Sequence, residues 1–250
     1  MRFAVKLSFN GSSFYGWQSQ QGGNTVQDII ENTIEQRYGQ YIPITGCCRT
    51  DSGVHASDFV FHFDSENDIR DDFIYRLNKM LPETIALKSI QLATDSFHSR
   101  FDAVSRSYTY NIHSKKNAFA NDLSYYFTAI DKADFGLMQH ACEIIKQARE
   151  YYPFCKSKSD VNTMTCNIME IGWNINADGS SYSFRIVSDR FLRGMVRMIV
   201  GACLNIGLKK IEIDDLAYSL KNQARLNKSW SVPAHGLFLD GVKYRDNASL

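Results

Sequence analysis

The sequence predicts an α+β fold built from two ferredoxin-like, RRM-like split-βαβ halves, residues 1–104 and 105–250, with joined or abutting antiparallel sheets. Three observations predict it. Short runs of alternating apolar residues are interleaved with longer runs of helical periodicity. In the first half the order is β-α-β-β-α-β, the split-βαβ arrangement. The second half returns to that order without sequence identity to the first.

Phe3, Val5, Leu7 and Phe9 alternate, so residues 2–9 read as a strand with one buried face. A polar loop, residues 10–24, follows and carries Phe14, Tyr15 and Trp17. Loops of that length are usually functional or disordered, and a disordered linker rarely exposes aromatics. These rings either pack back on the core or form a binding surface. Thr25, with Asp28 three residues on, reads as a capping-box start to a helix striped by Val26, Ile29, Ile30, Ile34 and Tyr38. Strands are expected over 41–48 and 57–63, the second with Phe59, Phe61 and Phe63 on one face. A helix over about 68–80 ends at Leu81-Pro82, because proline cannot continue it. Residues 85–92 form another strand.

In the second half Tyr108, Tyr110 and Ile112 mark a strand, and residues 134–150 a helix. Residues 171–175 and 182–186 form a hairpin whose Asp178-Gly179 suits a type I′ turn. A helix over 191–206 is closed by Gly207 as its C-cap. A further helix over 214–225 and a strand over 235–244 complete the chain.

With 250 residues, 44% hydrophobic and 22% charged, the composition is that of an ordinary globular protein. No apolar run approaches the roughly 20 residues of a membrane span. The N-terminus enters a strand pattern with no signal-peptide core, so a cytoplasmic location is expected. Six scattered cysteines form no C-x-x-C pair and read as reduced, buried side chains. The histidines show no ligand spacing, so no metal is expected. The net charge of +1 argues for no polyanionic partner by itself, but it is unevenly spread. Residues 97–116 carry four bases against one acid, and residues 185–210 six against one. Such zones can form an electrostatic footprint for nucleic acid; solvated surface charge is the plain alternative.

Residues 46–56, Gly-Cys-Cys-Arg-Thr-Asp-Ser-Gly-Val-His-Ala, place Arg49, Asp51 and His55 in a turn between two strands. Asp-Ser-Gly is ordinary turn chemistry, so the motif alone is ambiguous. Arg190, Arg193 and Arg197 fall at i, i+3 and i+7 of the expected helix; Arg197 lies inside an apolar run, either paired with a carboxylate or a bound phosphate that offsets its desolvation or snorkelling to the surface. Residues 97–110 interleave Arg100 and Arg106 with Phe97, Phe101, Tyr108 and Tyr110, as single-stranded RNA binders do, although Tyr-x-Tyr in a strand also serves as plain core or cross-strand pairing.

Several stretches together resemble one family. They are Asn10-Gly11 with Tyr15-Gly16-Trp17-Gln18-x-Gln20 and Thr25-Val26-Gln27; Arg49 to Ala56; Leu77-Asn78-x-x-Leu81-Pro82; Phe97-His98-x-Arg100-Phe101; Arg106-x-Tyr108-x-Tyr110; Met195-Val196-Arg197-x-Ile199-Val200-Gly201; and Pro233-Ala234-x-Gly236-Leu237. In that order they resemble tRNA pseudouridine synthase A over nearly the whole chain. A departure is residues 160–168, which lack an arginine near Cys166. The resemblance implies two α/β halves around a central cleft and isomerisation of uridine to pseudouridine on the 3′ side of the anticodon stem-loop (tRNA positions 38–40). It implies no cofactor, a homodimer, and tRNA as partner. Asp51 is then the catalytic carboxylate, Arg197 its cation, Tyr108 the residue that packs on the uracil and Leu237 the one that closes the pocket. Arg49 occupies or holds open the position the base vacates. Arg100, Arg106, Lys115, Lys116, Arg190 and Arg193 follow the tRNA backbone. For His55 a turn-stabilising hydrogen bond is expected rather than catalysis. The rival readings are a non-catalytic RNA-binding protein with two RRM-like halves, which has no use for Asp51, and a hydrolase using Asp51 and His55.

Overall fold

The computed structural model describes residues 1–66, 68–69, 71–156 and 163–245. Among these residues nine strands and five α-helices make a mixed α/β fold, in keeping with an α+β class. The chain separates into two compact units: Met1–Arg106 with the chain from Phe238 onward, and Ser107–Leu237.

In the first unit the strand order is β4 (Ile85–Ala93), β1 (Arg2–Phe9), β3 (His55–Asp64), β9 (Leu237–Tyr244). β1 is antiparallel to both its neighbours. The far edge of β3 is shared. The short β2 (Thr45–Gly46) pairs with its outer part, and β9 runs parallel to its first residues, His55 opposite Phe238 and Ala56 opposite Leu239. Antiparallel pairing throughout was the expectation, and this parallel pair corrects it. Helices α1 (Val26–Tyr38) and α2 (Phe73–Met80) pack together, and the apolar face between helices and sheet is filled by Phe3, Phe61, Phe63, Ile30, Phe73 and Leu77. Stacking of Phe63 on Phe73 at 5.5 Å joins sheet to helix.

The start of α1 is as its sequence demands: Thr25 Oγ1 accepts from the Asp28 amide at 3.2 Å and donates to the Asp28 carboxylate at 2.6 Å. Two extents differ from expectation. β2 is only two residues long because Pro43 has no amide to donate and the Ile44 amide donates instead to the buried Glu31 carboxylate at 2.9 Å. α2 begins at Phe73, since Asp72 before it sits at φ +65.

The second unit orders its strands β5 (Ala103–His113), β8 (Ser181–Ser188), β7 (Ile168–Ile175), with β6 (Tyr125–Tyr126) parallel to β5. Helices α3 (Phe135–Gln147), α4 (Met195–Gly207) and α5 (Ile213–Asn222) pack on one another around α3, which also covers β7. The β7–β8 connection is not the expected type I′ turn. Only Gly179 takes positive φ (+62), its amide closes a turn on the Asn176 carbonyl at 3.0 Å, and Asp178 accepts the amides of Ser180 and Ser181 at 2.8 Å each. Gly207 is the last residue of α4 and Leu208 its cap, not the reverse. α4 also starts four residues later than expected, so Arg190 and Arg193 precede it and do not share a helical face with Arg197. All six cysteines are free thiols, with Cys142 and Cys203 in contact at 4.0 Å between α3 and α4. Residues 160–162 of the stretch without arginine lie outside the described residues.

Candidate active site

Residues 47–54 join β2 to β3 and carry Arg49, Asp51 and Ser52. The turn closes through the Val54 amide, which donates to the Asp51 carbonyl at 3.2 Å, with Gly53 between them at φ +78. Positive φ at the third position of such a turn is what selects glycine there.

The loop of residues 10–24 is built against this turn. A Cβ on Gly11 would collide with the Val54 carbonyl, and one on Gly16, at φ +89, with the Thr50 carbonyl. Between those two glycines the Phe14 carbonyl accepts from the Gly53 amide and from Ser52 Oγ, each at 3.2 Å. The Gly11 amide donates to His55 Nδ1 at 3.0 Å, and the buried imidazole stacks on Phe238 at 4.5 Å. An Nδ1 that accepts leaves the ring proton on Nε2, so His55 ties loop to strand, as expected for a turn-stabilising residue. Trp17 anchors the same loop by stacking on Phe59 at 4.0 Å and by lying where a Cβ on Gly46 would meet its indole. Phe14 and Trp17 are therefore core residues, while Tyr15 remains 57% exposed. The backbone on both sides of Asp51, itself half-buried, is thus held by contacts from a distant segment.

Arg106 lies deeper than a phosphate contact would. It is buried, and its Nη2 donates to the carbonyls of Cys47 at 2.7 Å and Arg100 at 2.6 Å. It thereby braces the strand that leads into the Asp51 turn. Arg49 and Arg100 are exposed, and the Arg100 guanidinium lies over the ring of Phe101 at 5.5 Å. Burial pushes the His62 imidazole on β3 down to about 4, with Arg2 and His98 adding to the shift.

In the second unit Tyr108 is buried on β5, edge-on to Phe191 at 5.0 Å. Arg197 is the one residue of α4 that is not buried; its Nε donates to the Val232 carbonyl at 2.7 Å, and the Val232 amide returns to the Arg197 carbonyl at 3.3 Å. The Tyr110 hydroxyl donates to the Pro233 carbonyl at 2.8 Å, its own pKa raised by burial so that it stays a donor. These bonds fix the segment that leads to Leu237, which is buried. Lys115, Lys116 and Arg193 are exposed. Asp131 and Asp178 are held below the usual carboxylate range, the first chiefly by hydroxyl hydrogen bonds and the second by the Ser181 hydroxyl and two amides, with the Lys115 charge adding a little to each.

Sequence reasoning missed the clamp of Gly11, Phe14 and Gly16 on the Asp51 turn, and the burial of Arg106. The clamp had a faint signal, two glycines around an aromatic in a long loop. The burial of Arg106 had none, because Ser105, Arg106, Ser107 and Tyr108 are all buried and the strand shows no alternation there.

The matches to known proteins give the chain its family. The family model for tRNA pseudouridine synthase matches residues 149–245. A protein of Parabacteroides distasonis named tRNA pseudouridine synthase A is 38% identical over 245 residues, 97% of this chain and 96% of its own length. Proteins of the same name from Porphyromonas gingivalis and Bacillus subtilis are 35% and 34% identical, the latter over 98% of this chain and 99% of its own. The chain belongs to the tRNA pseudouridine synthase A family.

Proposed function

We propose that this protein is an isomerase that converts uridine to pseudouridine in tRNA, on the 3′ side of the anticodon stem-loop, with Asp51 as the catalytic carboxylate. The observation that carries the assignment of Asp51 is the clamp of residues 11–16 on its turn. Nothing in a merely structural turn requires its backbone to be so closely fitted from a segment so distant in sequence.

The reaction breaks the N1–C1′ bond, turns the uracil and joins C5 to C1′; the proton leaving C5 is balanced by one gained at N1. It needs no oxidant and no external group. An ionised carboxylate serves it by covalent attack on sugar or base, or by stabilising a cationic sugar. A carboxylate shielded from water stays ionised when a cation accompanies it, the role the resemblance assigns to Arg197. Tyr108 is the residue for packing on the uracil and Leu237 for closing over it. A paired uridine must be extruded, at an unstacking cost of a few kcal/mol, and Arg49 holds open the place it leaves. Arg100, Arg193, Lys115 and Lys116 are exposed and fit backbone contacts. Arg106 fits a positioning role behind the Asp51 turn. A homodimer, a cytoplasmic location and split-βαβ halves divided near residue 104 complete the reading; no helix among the described residues is long and apolar enough to cross a membrane.

The test is tritium release from tRNA labelled at C5 of uridine. Wild-type protein releases tritium, and Asp51→Ala abolishes release while tRNA affinity stays within a few-fold. Turnover by Asp51→Ala removes Asp51 from its role. Binding without release by the wild type returns the protein to the class of RNA-binding modules.

A further inference from the structure

The approach to the Asp51 turn from its N-terminal side is thin. There β2 offers two rungs, Thr45 opposite His62 and Gly46 opposite Phe61, and the Cys47 amide adds one bond, to the Val60 carbonyl at 2.8 Å. Two strands paired over so short a length are marginal by themselves, and ordering the backbone that follows costs entropy that so few bonds do not offset.

Groups from outside the ladder make up the difference, and they meet at Ser99. This residue is fully buried, and its amide, hydroxyl and carbonyl are all engaged. The amide donates to His62 Nδ1 at 3.2 Å and the hydroxyl to the Thr45 carbonyl at 2.7 Å, so both reach the two partners of one rung. The carbonyl accepts from the Tyr244 hydroxyl, at the end of β9, at 2.7 Å. The next carbonyl, that of Arg100, accepts from Arg106 Nη2, which also holds the Cys47 carbonyl ahead of the turn. The Tyr244 ring packs on Phe97 at 5.3 Å. Burial raises the pKa of its phenol, so the hydroxyl keeps its proton and remains a donor.

The two ends of β9 thus support the turn from both sides. At its start Phe238 stacks on His55, just after the turn, and at its end Tyr244 holds Ser99. We infer that Tyr244 is a positioning residue for Asp51, its hydroxyl fixing the Ser99–Arg100 backbone whose carbonyl steers Arg106 onto Cys47. This role rests on Asp51 being the catalytic carboxylate, and it makes β9 part of the support of the site.

Tyr244→Phe removes the hydroxyl and keeps the ring on Phe97. Its control is Tyr151→Phe in the second unit, where the hydroxyl donates to the Ile145 and Ala148 carbonyls at 2.9 and 2.8 Å. Each variant loses a hydroxyl that satisfies carbonyls, and each should lose roughly 2–4 °C of melting temperature. Only Tyr244→Phe should slow single-turnover tritium release at saturating tRNA, by about tenfold, a part of the ~10²-fold that a displacement of about 1 Å costs, with tRNA affinity within about twofold of wild type. Ser99→Ala, which removes the bond to the Thr45 carbonyl, should show the same split of rate from affinity. The double variant should be within about twofold of the slower single one, because both changes act through one stretch of backbone. Equal release rates in Tyr244→Phe and Tyr151→Phe, a loss in Tyr244→Phe confined to affinity, or rate losses that multiply in the double variant overturn the inference and leave the isomerase reading intact. If Tyr244→Phe does not fold, Ser99→Ala decides: release at the wild-type rate overturns the inference. A wild-type protein that releases no tritium overturns both.

Discussion

Gly16→Ala separates the positioning of Asp51 from the stability of the fold. Gly16 sits at φ +89, a conformation that costs an L-residue about 1–2 kcal/mol. Its added methyl would also overlap the Thr50 carbonyl and lie 3.1 Å from the Asp51 carbonyl carbon and 3.3 Å from the Ser52 amide nitrogen. Those atoms are backbone and cannot swing aside, so the loop or the Asp51 turn must move by a substantial fraction of an ångström. Displacing a catalytic group by about 1 Å costs on the order of 10²-fold in rate. The control is Gly39→Ala. Gly39 has φ +69 at the end of α1, and nothing lies within 4 Å of its would-be Cβ. Both variants should lose roughly 2–8 °C of melting temperature, but only Gly16→Ala should lose about a hundredfold in tritium-release turnover. Equal turnover in the two variants, at equal stability loss, would refute the idea that the loop holds Asp51 in place.

Two further outcomes follow from the same geometry. Arg197→Met should reduce turnover by about 10²–10³-fold with tRNA affinity changed less than about threefold; a large loss of affinity with turnover retained at saturation would make Arg197 a phosphate contact. His62, whose folded pKa is depressed to about 4, should make the protein less stable as pH falls from about 6.5 towards 4, because over that interval the unfolded chain takes up a proton the fold refuses. After allowance for solvent screening this amounts to roughly 1–2 kcal/mol, read as the difference in urea midpoints at pH 7 and pH 4.5. His62→Leu should flatten that difference, and an unchanged slope in the variant would assign the acid sensitivity elsewhere.

What could be read from the sequence follows the range of the interactions involved. The start of α1 was legible because Thr25 and Asp28 satisfy each other within one turn. The strand run of β3 was legible because Phe59, Phe61 and Phe63 repeat with period two. The extent of β2 was not, since the groups that replace its ladder come from Glu31 on α1. Arg106 reads as a surface base in a basic segment, yet its guanidinium donates to the carbonyls of Cys47 and Arg100. The sites of Arg190 and Arg193 were misjudged for a local reason: Gly194 at φ +72 delays the helix to Met195, so periodicity counted from Phe191 has no helix beneath it.

The turn itself shows why its motif is ambiguous when read alone. Of its residues, Gly53 supplies the positive φ, Ser52 ties its hydroxyl to Phe14, and His55 spends Nδ1 on Gly11 and its ring face on Phe238. The positive φ of Gly53 is ordinary turn chemistry, whereas the contacts of Ser52 and His55 tie the turn to a loop distant in sequence. The histidine that sequence proximity offers as a base is therefore unavailable at Nδ1 without releasing the Gly11 amide, which would leave a buried donor unpaired at a cost of about 1–3 kcal/mol. Ser52, Gly53 and His55 are thus engaged in holding the backbone around Asp51. A hydrolase that pairs Asp51 with His55 would have to break the bond that keeps the loop against the strand, whereas an isomerase that asks only for a fixed carboxylate uses the turn as it stands.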